Sequence, residues 1–452
     1  MENSEVSTLP QANSKFTHLN KRIWSLSGPM MLSNIALPLL GLVDTAVMGH
    51  LDSAVYLAAV SVGAMILHFI FWGFGFLRMS TVGLAAQAYG ENNGQALRQL
   101  LTRAVVLALL ISFILILSQS YLIQLALFLV QPGDGIAVLT KEYFDIRIWS
   151  APATLLTYVL LGWFLGLQKA RLVLVVMIFV NVLNIVLDLL FVVGLKLTVD
   201  GVAYASLISE YAGLLLAVYL LFKEVKMLHG KCVLSEALNW SAMRKLLSLN
   251  LDIFIRTIAL LFAFAFFTTQ SARSGDVVMA ANAVLLQFIT FMAYVLDAYA
   301  HAAEAMVGEA LGKKNKQLLK QMVNACALWS LGSALLFMLA YLLLGEMIVS
   351  VMTDITSVKV FANNYLYWLA FMPLVAVWSY LFDGVFVGAT WSKEMRNVML
   401  LAVGVIYLPV WYLTQGMQNH GLWLALFLFL FARGGLMAWH YRKKLQTMPE
   451  VL

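Results

Sequence analysis

The sequence has few charged residues and very little cysteine for its length. Only 12% of its 452 residues are Asp, Glu, Lys or Arg, 62% are hydrophobic, and the mean hydropathy is +0.86. A soluble protein of this size needs more polar surface to cover its core, so a soluble class is excluded. The two cysteines, Cys232 and Cys326, form neither a metal-binding spacing nor a disulfide framework.

Motifs for the common enzyme chemistries are also missing. The chain has no Gly-x-x-x-x-Gly-Lys-Ser/Thr phosphate loop and no Gly-x-Ser-x-Gly nucleophile elbow. His68 and His301 lie in apolar segments, but outside any metal-binding pattern. We therefore expect no enzyme activity, no resident cofactor and no required ATPase subunit. The stretch from Met1 to Asn20 is polar, unlike a secretory signal peptide, so we expect a cytoplasmic N-terminus.

Long apolar segments recur along the whole chain. Each is about 20 residues or longer, which is enough to cross the roughly 30 Å of bilayer hydrocarbon. None shows the alternation of a membrane β-barrel strand. We predict an all-α integral membrane protein with twelve transmembrane helices, numbered α1 to α12, at residues 22–49, 54–79, 95–119, 138–166, 171–194, 200–222, 245–270, 277–308, 319–343, 361–390, 395–414 and 420–441.

One pattern occurs twice along the chain, at a constant offset of 222. The stretch from Gln87 to Gly90 recurs from Glu309 to Gly312, and the pair Gly162 and Gly166, which permits close helix packing, recurs as Gly384 and Gly388. A constant offset indicates two homologous halves, an arrangement typical of secondary transporters whose substrate path runs between them. We predict two pseudo-symmetric six-helix bundles, with boundaries at 1–21 (N-terminal tail), 22–222 (N-lobe), 223–244 (cytoplasmic linker), 245–441 (C-lobe) and 442–452 (C-terminal tail).

Basic residues are distributed unevenly between the two sides of this topology. With the N-terminus inside, the outer loops hold only four of the 29 lysines and arginines, at Lys141, Lys196, Arg273 and Lys359. Because cytoplasmic loops of membrane proteins are enriched in basic residues, both termini are predicted to be cytoplasmic. The net charge of +6 has the same explanation, facing anionic membrane lipid, so we expect no nucleic-acid partner.

Acidic residues inside apolar helices are the main candidates for function, because an ionised side chain in the bilayer is costly. Asp44 in α1 and Asp188 in α5 lie at comparable depth and could meet inside the N-lobe. Asn184 lies one helical turn before Asp188, and Asn181 falls on the same face. Such a group could bind a cation or a proton. The alternative is interhelical hydrogen bonding, which we prefer for Asn181 alone.

The second half does not repeat these acids. The offset carries Asp44 to Phe266 and Asp188 to Val410, so we expect the N-lobe to couple the ion. The C-lobe has acids of its own at Asp297, Glu304 and Asp383. Asp297 and Asp383 have either a substrate or conformational role, or pair with an embedded cation such as Arg256. For Glu210 and Asp252, which lie near predicted cytoplasmic helix ends, we expect solvation.

Prolines interrupt the helix that carries the first acid. Pro29 and Pro38 each remove a backbone hydrogen bond from α1 and favour a kink. The kink is either a static feature or a point at which the helix bends during function.

Several segments resemble the DinF branch of the multidrug and toxic compound extrusion (MATE) transporters. The resemblance covers about Ile23 to Arg442 and is carried by the runs Pro38 to Leu51, Gln87 to Gly90, Asn184 to Asp188, Tyr294 to Asp297 and Asp383 to Thr390. It implies a bacterial inner-membrane antiporter that exports cationic or amphiphilic organic compounds against an inward flow of H+ or Na+.

The resemblance also assigns roles to residues. In that branch the acid of the first helix and the Asn/Asp pair of the fifth form the coupling site, matching Asp44, Asn184 and Asp188. It further implies bending of α1 at Pro29, while Tyr158 and Ser206 occupy polar N-lobe positions. We expect a monomer.

Two alternatives accompany this interpretation. A Na+-coupled transporter would use the same oxygens, with Asp44, Asn184 and Asp188 as metal ligands. The NorM branch places an acid in helix seven for Na+, where this chain has only Asp252 and the basic Arg256. A lipid-linked precursor flippase would need a cationic cavity, and embedded Arg and Lys are few.

Overall fold

The chain folds almost entirely into helices. The computed structural model describes residues 18–36, 49, 53–230 and 233–449, and in these residues every regular element is a helix. Helix α1 is described from residue 18 to 36. Eleven further helices are long and apolar enough to cross a membrane: α2 Ala54–Gly90, α3 Gly94–Leu117, α4 Asp134–Gly166, α5 Ala170–Gly194, α6 Val199–Lys226, α7 Trp240–Arg273, α8 Asp276–Gly312, α9 Lys316–Met352, α10 Leu366–Gly388, α11 Ser392–Leu413 and α12 Asn419–Thr447. The predicted multi-pass helical membrane protein is confirmed.

Several helices extend beyond their predicted ends. α2 continues to Gly90, beyond its predicted end at residue 79. Hydropathy detects only the apolar part of a helix, whereas the backbone hydrogen bonds continue through polar residues until a cap ends them. α3 and α9 both begin after an asparagine, and Asn93 and Asn315 each accept a hydrogen bond from the backbone nitrogen three positions on, at 2.9 and 2.8 Å.

Three short helices were not predicted. The apolar helix Gln119–Val130 lies in a predicted loop, and its 12 residues, at about 1.5 Å each, are too few to cross the hydrocarbon. Thr356–Asn363 is a separate helix before α10, and Leu234–Ala237 lies in the predicted linker. Apolar composition alone does not separate a short helix from part of a span.

The chain divides into two compact units. The N-terminal unit comprises Leu32–Asn250, and the C-terminal unit comprises Leu251–Leu452 together with the start of α1. Within the C-terminal unit, the Trp24 ring packs edge-on against Trp329, with ring centroids 5.1 Å apart. Arg22 forms a salt bridge with Glu309 of α8. The first turns of α1 are therefore fixed to α8 and α9.

The internal repeat is present in the helix packing. In the N-terminal unit, Gly162 of α4 lies against the Arg78 carbonyl of α2. A Cβ atom added to Gly162 would lie 2.5 Å from the oxygen of that carbonyl. In the C-terminal unit, Gly384 of α10 lies against the Ala300 carbonyl of α8. Arg78 and Ala300 are themselves separated by the offset of the repeat. Each pair of helices therefore approaches to backbone contact at the corresponding place, which only glycine permits.

The turns repeat as well. Three pairs of residues with positive φ are related by the same offset: Asn92 and Lys314 at 53° and 54°, Gln168 and Thr390 at 62° and 56°, and Lys196 and Gln418 at 57° and 51°. Non-glycine residues seldom adopt this conformation, so its recurrence is a specific sign of duplication.

The two units differ in the position at which an α-helix widens into a π-helical segment. In α5 this occurs at Leu189–Gly194, directly after Asp188. In α11 it occurs at Ala402–Tyr407, earlier than the equivalent position at Trp411. Such bulges often accompany functional sites because they change the direction of neighbouring side chains. The departure from symmetry therefore directs attention to Asp188.

Candidate functional site

Helix α5 has one polar face on an otherwise apolar surface. Asn181, Asn184 and Asp188 are all buried, whereas Val182 and Val186 on the opposite face are exposed. Spacings of three and four residues place the polar side chains on one stripe, as the sequence predicted. The polar face points into the N-terminal unit, and its carboxylate has no exposed surface.

Asn184 links the Asp188 carboxylate to helix α6. We assign the Asn184 amide with its nitrogen toward Asp188. In the opposite orientation the amide oxygen would face the carboxylate, and both groups can only accept a hydrogen bond. The Asn184 nitrogen then donates to Asp188 Oδ2 at 3.2 Å, and its oxygen accepts from the Ser206 hydroxyl at 3.1 Å. Ser206 is itself buried. The structure thus brings together Asn184, Asp188 and Ser206, three of the predicted site residues.

Asn181 connects the same face to helix α1. Its amide nitrogen donates to the backbone carbonyl of Ala36 at 3.4 Å. This is the helix-holding interaction that we preferred for Asn181. Pro29 lies within α1, which remains helical from residue 18 to 36. Asp44 and Pro38 lie outside the described residues, so the meeting of Asp44 with Asp188 stays a prediction.

Tyr158 lies in a different group of the N-terminal unit. It interacts electrostatically with Glu210 of α6, Arg147 of α4 and Arg78 of α2. Arg147 Nη2 donates to Glu210 Oε1 at 2.8 Å, and the Thr154 hydroxyl donates to the other oxygen of Glu210. Glu210 lies near the middle of α6 and is ion-paired. Our placement of Glu210 at a solvated cytoplasmic helix end was therefore wrong.

In the C-terminal unit, Asp383 is held by two arginines. Arg256 Nη1 of α7 donates to Asp383 Oδ2 at 2.8 Å, and Arg433 of α12 donates to the same oxygen. The exposed fractions of the two arginine side chains are only 8% and 3%. Pairing with an embedded cation, one of our two interpretations, is thus the arrangement found for Asp383. Asp297 interacts electrostatically with the same Arg256.

Asp252 of α7 also has a buried ion pair. Arg396 Nη1 donates to Asp252 Oδ1 at 2.6 Å, and the Ser392 hydroxyl donates to the other oxygen at 2.8 Å. The Asp252 side chain is only 4% exposed. Our expectation that water compensates this charge was wrong, because the start of α11 supplies its partners.

Sequence reasoning offered the pairing of Asp383 with Arg256 as one of two interpretations, but it missed the partners Arg433, Arg147 and Arg396. A signal was available, since opposite charges occur in the middle of apolar segments on helices that lie side by side. The partner of each arginine depends on how helices rotate and pack, which hydropathy does not specify. Among the described residues, no group of three or more His, Cys, Asp or Glu side chains could hold a metal ion.

The comparisons with known proteins follow the same two-part organisation. A family model, MatE, matches the chain twice, at residues 29–190 and 253–413. The chain belongs to the MatE family. MATE proteins are secondary transporters and not enzymes, so the predicted absence of enzyme activity follows from the family. Each of the two matches falls in one copy of the repeat that the sequence shows.

Individual MATE relatives support the assignment. This MATE chain is 43% identical over 430 residues to DNA damage-inducible protein F of Escherichia coli, covering 94% of this chain and 93% of that protein. It is 26% identical over 409 residues to the multidrug resistance protein NorM of Vibrio cholerae, covering 87% of each.

Solved structures confirm the MATE fold. An outward-facing multidrug resistance MATE family transporter superposes with a TM-score of 0.86 at 18% identity, covering 95% of this chain and 96% of that one. A mutant of the Vibrio cholerae MATE transporter VcmN gives a TM-score of 0.86 at 20% identity, covering 96% and 98%.

Proposed function

We propose that the protein is an antiporter that exports cationic or amphiphilic organic compounds and is driven by inward flow of H+. The observation that carries this proposal is the buried carboxylate of Asp188, on a helix long enough to span the membrane. It accepts a hydrogen bond from Asn184, whose oxygen in turn accepts one from Ser206 of α6. A carboxylate in such a place needs a proton, a cation or water to compensate its charge. Relatives named for multidrug resistance support an organic substrate.

Asp44 completes the proposed coupling site. Asn181 contacts Ala36, and α1 and α5 cross the membrane in the same direction in the predicted topology. If α1 continues as predicted to residue 49, Asp44 lies eight residues or about 12 Å beyond Ala36, and Asp188 lies seven residues or about 10 Å beyond Asn181. We propose that the two carboxylates share a proton. Taking up that proton from outside would change the charge next to α1, and Pro29 gives α1 a place to bend.

The proposal also covers membrane placement and organisation. We place the protein in a bacterial inner membrane with both termini in the cytoplasm, supported by the basic loops and by the Escherichia coli relative. We propose that it acts as a monomer, with lobes at 22–222 and 245–441 joined by the linker 223–244.

Transport assays in proteoliposomes test the coupling ion. We expect an imposed pH gradient to drive accumulation of a fluorescent organic cation without Na+. If a pH gradient drives no accumulation and a Na+ gradient does, the coupling ion is Na+, bound by the same oxygens.

The lipid-linked precursor flippase has less support. A phosphate-bearing lipid would need uncompensated basic residues inside the helical bundle. In the described helices, Arg147 pairs with Glu210, and Arg256 and Arg433 pair with Asp383. These arginines already have carboxylate partners, so they are poorly placed to bind phosphates.

A further inference from the structure

The C-terminal unit has a groove where the end of α9 lies beside a break between two helices. The short helix Thr356–Asn363 and α10 are separated by a turn at residues 364 and 365, and both helices pack against α9. The groove encloses about 320 Å³ and is lined by all three helices. Sites for small molecules usually enclose about 300–1,000 Å³, so this groove is large enough for a small polar group.

Two polar side chains that can accept hydrogen bonds line the groove. Glu346 comes from α9, and Asn363 comes from the short helix. Asn363 Oδ1 is buried and has no hydrogen-bond partner among the described residues. Within the same residues Glu346 forms no salt bridge, and Lys359, the next basic residue along the chain, pairs with Asp354. A buried acceptor without a donor is costly, so the groove favours a ligand that carries hydrogen-bond donors.

The other side chains of the groove are aromatic or aliphatic. Tyr341 and Tyr367 both line it, and the Tyr341 hydroxyl is already engaged because it donates to the Phe288 carbonyl at 2.8 Å. Leu342 and Leu343 line it as well, and both are exposed. The face of an aromatic ring attracts a cation. The groove therefore offers acceptors and aromatic rings to a cation, beside an exposed apolar surface.

The groove lies near one end of a membrane-spanning helix. α9 has 37 residues. At 1.5 Å per residue it is about 55 Å long, which leaves about 12 Å at each end beyond the roughly 30 Å of hydrocarbon. Glu346 lies about 9 Å before the last residue of α9, Met352. In the predicted topology this end is on the outer side, so the groove lies at the depth of the outer lipid headgroups, where tyrosine is common.

We propose that the groove binds the ammonium group of an ethanolamine phospholipid in the outer leaflet. A primary ammonium group has three N–H donors, which match the Glu346 carboxylate and Asn363 Oδ1. The tyrosine rings stabilise its charge, and the exposed leucines contact an acyl chain. A choline headgroup has no N–H to donate, and Glu346 repels a lipid with a net negative charge.

The corresponding place in the N-terminal unit lacks this arrangement. By the offset of the repeat, Glu346 corresponds to Gln124 and Asn363 to Lys141. Lys141 lies inside the continuous helix Asp134–Arg147, so the helix break that shapes the groove does not occur there. A lysine also repels an ammonium group. We therefore expect this lipid site only in the C-terminal unit.

Lipid binding to the full-length protein in detergent micelles tests the proposal. Phosphatidylethanolamine, phosphatidylcholine and phosphatidylglycerol with the same acyl chains are added separately, and native mass spectrometry measures the lipid bound. We expect Glu346→Gln to lower the affinity for one ethanolamine lipid by about tenfold, the effect of losing one charge-assisted hydrogen bond. Its affinity for the choline lipid should not change. Asn363→Asp adds a second carboxylate and should bind the ethanolamine lipid more tightly than the wild type.

Matched variants separate this result from other causes. Asp276→Asn removes an exposed acid at the start of α8, outside the groove, and should bind the ethanolamine lipid as the wild type does. Unchanged binding by Glu346→Gln would overturn the proposal, as would an equal loss of the choline lipid. If Glu346→Gln is too unstable to measure, Asn363→Asp decides, because unchanged or weaker binding of the ethanolamine lipid contradicts the proposal. Asp188→Asn should retain this site, so the outcome does not depend on the proposed antiport.

Discussion

Tyr158 in the N-terminal unit and Tyr380 in the C-terminal unit occupy corresponding positions, and each lies beside a cluster of buried charges. The backbone contacts around them also correspond, because the same glycines bring the same helices together. The charges do not correspond. Glu210 faces two arginines in the first cluster, whereas Asp297, Glu304 and Asp383 face two arginines in the second.

This difference shows that the two halves have kept the same helix contacts and turns since the duplication, while their buried charges have diverged. Helix approach depends on glycine positions and turn conformations, and changing either would displace whole helices. A buried charge requires only that a partner of opposite sign lies within reach, and a neighbouring helix can supply it at several positions. The two units therefore have the same packing and different polar groups, which allows one scaffold to hold two sites of different charge.

The largest effect that we expect concerns Asp188, which corresponds to Val410 in the second unit. Asp188→Asn keeps the shape of the side chain and its contact with Asn184, but it can no longer exchange a proton. Export driven by a pH gradient should fall by about 100-fold or more, since a proton-transfer group contributes about 10²-fold to 10⁴-fold. Proteoliposome uptake assays measure this, with Asp134→Asn at the start of α4 as the control. Wild-type export by Asp188→Asn, at equal protein content, would remove Asp188 from the coupling site.

The next effect concerns the charge cluster of the C-terminal unit. Asp383→Asn leaves Arg256 and Arg433 buried without their shared carboxylate, so the free energy of unfolding should fall by about 3–5 kcal/mol. Denaturant unfolding in detergent micelles measures the change. Asp354→Asn removes a fully exposed partner of Lys359 in the same unit and should leave stability unchanged. Equal stability of the two variants would mean that the arginines find other partners.

A smaller effect should follow from the shared packing. Gly384→Ala places a methyl group against the Ala300 carbonyl, and Gly162→Ala does the same against Arg78. Each should lower the free energy of unfolding by about 1–3 kcal/mol, because the helices must move apart. Gly332→Ala in α9, where a Cβ meets nothing within 4 Å, should instead raise it by about 0.5–1 kcal/mol. Losses in only one unit would show that the two contacts are not equivalent.

The sequence was sufficient for the features that depend on local periodicity. Asn181, Asn184 and Asp188 were assigned to one helix face from their spacing, and the structure buries all three. The offset of Gly162 and Gly384 likewise identified the close helix contacts. A helical period of about 3.6 residues and a constant repeat length are both properties of the chain itself.

Features that depend on the rotation of one helix against another were not predictable. Nothing in the sequence near Asp383 indicates that Arg433, 50 residues later, would share its carboxylate with Arg256. Glu210 was expected to be solvated, although it lies in the middle of the predicted span 200–222, because its partner Arg147 lies on another helix, α4. Ion pairs between helices are set by tertiary packing, which residue spacing within one helix does not contain.

The smallest effect concerns the hydroxyl that connects α6 to the coupling site. Ser206→Ala removes the hydroxyl that donates to the Asn184 oxygen. The backbone nitrogen of residue 206, which donates to the same oxygen at 3.2 Å, and the Asn184 contact with Asp188 both remain. Loss of one buried hydrogen bond costs about 1 kcal/mol, so pH-driven export should slow by about fivefold with the site otherwise intact. Ser209→Ala, on the next turn of α6, removes a hydroxyl that donates to carbonyls of its own helix and should change export less. Equal rates for the two variants would mean that Ser206 packs beside the site without orienting it, and the N-terminal coupling group would then reduce to Asn184 and Asp188 with the proposed Asp44.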